Sequence, residues 1–245
     1  MIFRQYLDRD PVVAASYLFG CPTAGIGAVV DPIGDIGRYL KESEDGNVAI
    51  HYVIDTHMHA DHVSSGRELA KAAGAEYVIL AGTETKYAFR GVKDGETLHM
   101  GNTEIEVLHT PGHTPEHISL VVTDHARTDE PWLVVTGHTL MVGAMGRTEL
   151  ATSAEEGAKA LFQSAEKLRR LPDHLGVFPG AFAGSVCGQG ISGNPSSTIG
   201  FERQHNRAFA LENEEEFIQL MLEETLVPPP NAAQIRATNL GLDPA

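Results

Sequence analysis

The stretch "VAIHYVIDTHMHADH" (48–62) constrains what this chain can fold into more than any other. Its first part is rich in β-branched and aromatic residues and reads as a buried strand. Its last part places His57, His59, Asp61 and His62 within six residues, directly after that strand. Strand alternation turns His57, His59 and Asp61 to one side if the extended geometry continues. Three imidazoles and a carboxylate crowd unfavourably unless something organises them. A divalent metal does so, because neutral imidazole is its commonest protein ligand. A merely solvated loop fits poorly, since a buried strand pins one end and a helix opened by Ser65 and Glu68 pins the other.

Two further stretches carry histidines in similar settings. "LHTPGHTPEHISL" (108–120) sets His113 behind a Pro-Gly turn at the mouth of a strand pair, whereas His109 and His117 lie in or beside strands and read as structural. "VVTGHTLMVG" (134–143) ends an apolar strand on Gly137 and then His138.

The rest of the chain reads as strands in runs, with amphipathic helices between them. Strands are predicted near 2–7, 15–19, 27–30, 77–80, 97–99, 103–109, 118–123, 132–135 and 175–178. Helices are predicted over 35–43, from Ser65 to Ala73, from a Ser153/Glu156 capping box, and from Asn213 to Leu226. Runs of strands rather than strict alternation imply a layered α/β sandwich on mixed or antiparallel sheets. One domain is expected over 1–226, followed by an extended tail over 227–245 that starts at the Pro228-Pro229-Pro230 run.

A net charge of −15 argues against nucleic acid or an anionic membrane as partner. No apolar run approaches a membrane span, the N-terminus lacks a signal-peptide core, and two cysteines make no disulfide framework. A cytoplasmic location is the expectation.

"DPIGDIGRYL", "THMHADHVSSG", "TPGHTPEHISL", "TGHTLMVGAMGRTEL" and "NPSSTIGFERQHN" together resemble the metallo-β-lactamase superfamily, in its glyoxalase II-like branch that contains persulfide dioxygenases. The resemblance implies an αββα sandwich with a metal at the sheet edge. It also implies two altered ligands. His138 stands where the branch carries a metal-binding Asp, and Ala181 where it carries a further His. A carboxylate bridges two ions, while a neutral imidazole gives one lone pair to one ion. One divalent metal per chain is therefore expected, Fe(II) first and Zn(II) as the alternative. By resemblance His57, His113 and His138 would hold it, with His59 either a fourth ligand or close by. Asp61 and His62 are then left for acid–base work.

Three functions follow as expectations. The first is a persulfide dioxygenase converting a glutathione-type persulfide to sulfite with O2. The second is a zinc hydrolase of a thioester or lactone. The third is a metal- or thiol-binding protein without turnover. Arg147 and Cys187 are candidate contacts to a small thiol, persulfide or thioester substrate, with Arg203 and Arg207 as further local cations. A homo-oligomer is possible on the resemblance.

Overall fold

In the computed structural model of the chain, residues 1–223 and 229–242 are described. Two six-stranded sheets face each other. The first contains β1 (Ile2–Asp8), β2 (Ala14–Cys21), β3 (Ile26–Val30), β4 (Ala49–Ile54), β5 (Glu76–Leu80) and β6 (Arg90–Val92), in that spatial order. β1 to β3 pair antiparallel and β3 to β6 parallel. The second sheet uses β7 (Thr97–Met100), β8 (Thr103–His109), β9 (Ile118–Asp124) and β10 (Leu133–Gly137). A small hairpin of β11 (Leu140–Met141) and β12 (Ala144–Met145) follows. β13 (Gly176–Pro179) then lies parallel to β10, and β14 (Ser197–Thr198) closes the edge.

Period-two side chains explain the layering. Tyr17, Phe19, Ala28, Val30 and Ile54 point inward, where they meet Ile105, Val107, Leu120, Val122 and Val135 of the second sheet. Their strand neighbours Leu18, Val29 and Val53 point outward. There they pack with Tyr39 and Leu69, carried by α1 (Gly37–Asp45) and α2 (Gly66–Ala73). On the far side Val121, Val134 and Val177 meet the apolar stripe Ala158, Leu161, Ala165 and Leu168 of α3 (Ala154–Arg169). α4 (Ile199–His205) and α5 (Glu214–Glu223) complete that layer, the latter through Phe217 and Leu220. The result is the expected αββα sandwich. No described helix is long and apolar enough to cross a membrane.

The caps divide. Ser153 accepts from the Glu156 amide at 3.3 Å, as an N-cap does, and its hydroxyl donates to the Glu156 carboxylate at 2.7 Å in place of the backbone bond of a full capping box. Ser65 does not cap α2. Its hydroxyl is drawn to the Gly34 carbonyl at 2.8 Å, and the Ser64 hydroxyl accepts from the Gly66 amide instead.

The segment after the prolines differs from its extended expectation. Ala232–Leu240 forms α6, which ends on a left-handed Gly241 and lies against the histidine loop. The last turn predicted for the preceding helix, 224–226, together with Pro228, lies outside the described residues.

Candidate metal centre

β4 delivers Thr56 and His57 to the rim between the sheets. The Thr56 amide and hydroxyl both donate to the buried Asp31 carboxylate, at 2.7 and 2.8 Å. With its one proton spent there, Thr56 Oγ1 can only accept from His57 Nδ1, 2.9 Å away. The proton therefore sits on Nδ1, and the Nε2 lone pair of His57 faces the site.

His113 is set by the same logic. Its Nδ1 donates to the Arg147 carbonyl at 2.8 Å, which frees Nε2. That Nε2 lies 3.3 Å from His138 Nδ1, two imidazole nitrogens pointing at one another.

His138 reaches this position because β10 breaks register after Val135 and turns through a left-handed Gly137 (φ 48°). A Cβ at Gly137 would sit 2.5 Å from His117 Nε2 and 2.6 Å from Thr56 Oγ1, so the turn needs glycine in both backbone and space.

One ring nitrogen each of His57, His113 and His138 lies within 4.8 Å of the others. Burial, reinforced by the neighbouring rings, holds His57 well below the ordinary imidazole pKa. Burial likewise pushes His113 down to about 3, and it lowers His138. All three are neutral at pH 7, the form that donates to a metal.

His59, Asp61 and His62 form a second group. Burial opposes a charge on His59. The Asp31 carboxylate at 3.2 Å from Nε2, aided by Asp55 and Asp61, nevertheless raises it to about 9. His62 Nδ1 holds Asp61 Oδ1 at 3.0 Å. Burial would raise Asp61, but the surrounding histidines, His62 foremost, keep its carboxylate well below the usual range. The Cys187 thiol donates to Asp61 Oδ2 at 3.6 Å, and Asp61, His138 and Cys187 form a third group of converging atoms.

These residues fit a metal on their own chemistry. His57 Nε2, His59 Nδ1, His62 Nε2 and His138 Nε2 are buried without a hydrogen-bond partner. An unsatisfied buried polar atom costs about 1–3 kcal/mol, and coordination removes that cost. At His59 Nδ1 a cation would take the place of a proton.

The remaining candidates fall in different places. The Arg147 side chain is 1% exposed, pairs with Glu149, and donates to the Val186 carbonyl at 2.9 Å. Its amide donates to the Cys187 carbonyl, so this residue joins the His113 turn to the Cys187 loop. Arg203 pairs with Asp173 and Arg207 is exposed. His109 Nε2 donates to the Pro115 carbonyl at 2.8 Å and belongs to none of the converging groups. Ala181 is buried and offers no ligand atom.

A family model described as the metallo-beta-lactamase superfamily matches residues 9–180. The chain belongs to that superfamily. Among curated superfamily members, a hydroxyacylglutathione hydrolase of Polaromonas sp. is 34% identical over 169 residues, which is 67% of this chain and 60% of the relative. The chain thus spans less than two thirds of that relative's length. The human mitochondrial persulfide dioxygenase ETHE1 is 28% identical over 84% of this chain and 75% of its own. Among solved superfamily structures, a metallo-beta-lactamase of Staphylococcus aureus superposes with a TM-score of 0.91 at 34% identity. It covers 98% of this chain and 72% of that one. ETHE1 of Myxococcus xanthus superposes at 0.84 and 29% identity, over 99% and 100% of the two chains. These relatives carry enzyme names, and the superfamily match is shared by all of the comparisons.

Several residues that support the site are not site candidates in the sequence, where His117 reads as structural. Asp31 and Asp55 flank His59 from two different strand ends. His117 stacks on His57 with ring centres 5.1 Å apart, and it fixes the His138 backbone. Asn239 and Arg236 approach from α6. Only a fold that joins the end of β4 to the start of β9 and lays α6 against the loop shows these roles.

Proposed function

We propose that the chain is a mononuclear, metal-dependent dioxygenase of a glutathione-type persulfide, R–SSH + O2 + H2O giving R–SH + SO3(2−) + 2 H+. The carrying observation is the convergence of three neutral imidazoles, His57, His113 and His138, with no carboxylate among them. Superposition on ETHE1 of Myxococcus xanthus over the full length of both chains favours this reading. A bound Fe(II) would supply open positions for O2 and for the substrate sulfur. A three-imidazole set carries one negative charge less than two His and one Asp, so an anionic persulfide sulfur balances the centre. Asp61, held ionised by His62, is the nearby base for the persulfide proton. Arg147 holds the wall formed by His113 and Cys187, and the Cys187 thiol lines the site beside Asp61.

A zinc-dependent hydrolase of a thioester or lactone is the second reading. It is favoured by the separate His59–Asp61–His62 group and by the hydroxyacylglutathione hydrolase relatives. Anaerobic purification, metal analysis and oxygen uptake with glutathione persulfide decide between them. One iron per chain with oxygen consumption supports the dioxygenase. One zinc per chain, no oxygen uptake and turnover of a thioester supports the hydrolase. Absence of metal overturns both.

A further inference from the structure

The loop from His57 to Ser65 belongs to neither sheet, so its backbone groups need partners from elsewhere. They find them in α6. Asn239 Nδ2 donates to the carbonyls of His59 and His62, both at 2.9 Å, across 180 and 177 positions of sequence. Its Oδ1 accepts from the Ser64 amide at 3.0 Å. One turn earlier, Arg236 donates to the Met58 carbonyl at 2.8 Å and grips both oxygens of Glu116 at 2.9 and 3.0 Å. Glu116 in turn accepts from the Met58 amide at 2.9 Å. Residues 58, 59, 62 and 64 are thus pinned along the backbone by one helix, while one ring nitrogen each of His57, His59 and His62 remains free for the site.

Apolar burial does not account for the helix being there. Asn239 is its only buried residue. α6 is docked instead by polar contacts at its C-terminal end: Tyr87 Oη donates to the Asn239 carbonyl at 2.5 Å, the Lys86 amide to that of Leu240 at 3.0 Å, and Arg67 to that of Thr238 at 3.1 Å. A buried amide making three hydrogen bonds to one loop orients that loop; a leucine there would serve coverage better.

We propose that Asn239 is a positioning residue for the metal-binding loop: through the His59 and His62 carbonyls and the Ser64 amide it holds the loop that starts at the ligand His57 and carries the neighbouring rings, and so sets how long the centre holds its ion. This rests on the metal reading above. Removing comparable supports behind metal ligands costs roughly 10–100-fold in affinity.

The test uses the full chain loaded with Zn(II), with release timed by a chromophoric chelator. Asn239→Asp keeps size and one acceptor but sets a carboxylate oxygen against two carbonyls, and Asn239→Ala removes the amide. Gln234→Ala, on the exposed face of α6, serves as control. Both Asn239 variants are expected to release zinc roughly 10–100-fold faster than wild type, with the control unchanged. Unfolding rates of the metal-free proteins are measured alongside. Release accelerated only in proportion to unfolding, or not at all, overturns the positioning role while leaving the metal reading intact. If Asn239→Ala fails to fold, Asn239→Asp decides. A wild-type chain that retains neither Zn(II) nor anaerobically loaded Fe(II) overturns both.

Discussion

The backbone N–H of His138 donates to Nε2 of His117 at 3.0 Å. That nitrogen must therefore be an acceptor, and the ring proton lies on Nδ1, between Thr110 Oγ1 and Thr139 Oγ1 at 3.0 Å each. A histidine with no ligand role thus decides where a candidate ligand begins. Replacing His117 by Phe leaves the buried His138 amide unpaired, which is expected to cost about 1–3 kcal/mol and to lower metal content. Urea unfolding and metal analysis of the variant check it; unchanged values in both would show that His138 is placed by something else.

His57→Ala and His113→Ala are each expected to abolish stoichiometric metal, because each removes one of three neutral donors. Metal retained at a full equivalent in either protein rejects the ligand assignment. His138→Asp is expected to keep one ion and gain no second, since Ala181 supplies no donor. Two ions per chain in that variant would contradict this account.

The metal-free protein is expected to weaken in mild acid. Burial lowers His57, His113, His117 and His138 below the ordinary imidazole pKa of 6.5. The unfolded chain therefore binds more protons than the folded one as pH falls below about 6.5, and stability falls with it by up to roughly 1.4 kcal/mol per pH unit for each such group. His59 acts with the opposite sign. Raised to about 9, its stabilising pair with Asp31 is fully present below about 6.5 and is lost as pH rises through about 9. Urea midpoints after chelation, taken from pH 4.5 to 9.5, should pass through a maximum near neutrality. A profile flat between pH 7 and 5 would mean that these rings are not buried as neutral groups.

Cys187 is expected to be inert in the folded protein. It is 1% exposed, and burial together with the Asp61 carboxylate pushes its thiol well above the ordinary value. Alkylation by iodoacetamide at pH 8, followed peptide by peptide, should run at least about a hundredfold slower than in guanidinium. Prompt labelling of native protein would show an open, activated thiol instead.

Much of this was legible from the chain itself. Strand runs and the α3 stripe of Ala158, Leu161, Ala165 and Leu168 are period-bearing patterns, and they form the layers they imply. His57, His113 and His138 converge because each stands close after a strand or a tight turn, which leaves little freedom in their placement, whereas His59 and His62 lie in a loop that α6 holds. What stayed hidden depends on closure in three dimensions. α6 has no apolar stripe to announce it, since its one buried side chain is an amide bonded to a distant loop. Ser65 carries the cap pattern, yet a carbonyl from another loop competes for its hydroxyl. Arg147 stood out as a cation near the motifs, but no sequence pattern shows that its side chain lies buried beside Glu149.

The order of strands carries one more consequence. Each sheet is a contiguous stretch of chain, the first made by residues 2–92 and the second by residues 97–198. His57, His59, Asp61 and His62 belong to the first stretch, while His113, His138 and Cys187 belong to the second. During synthesis the first four therefore emerge before any of their counterparts exist. An ion seated among His57, His113 and His138 is fastened to both halves like a rivet, so pulling the halves apart, by heat or by force, has to tear it from one of them.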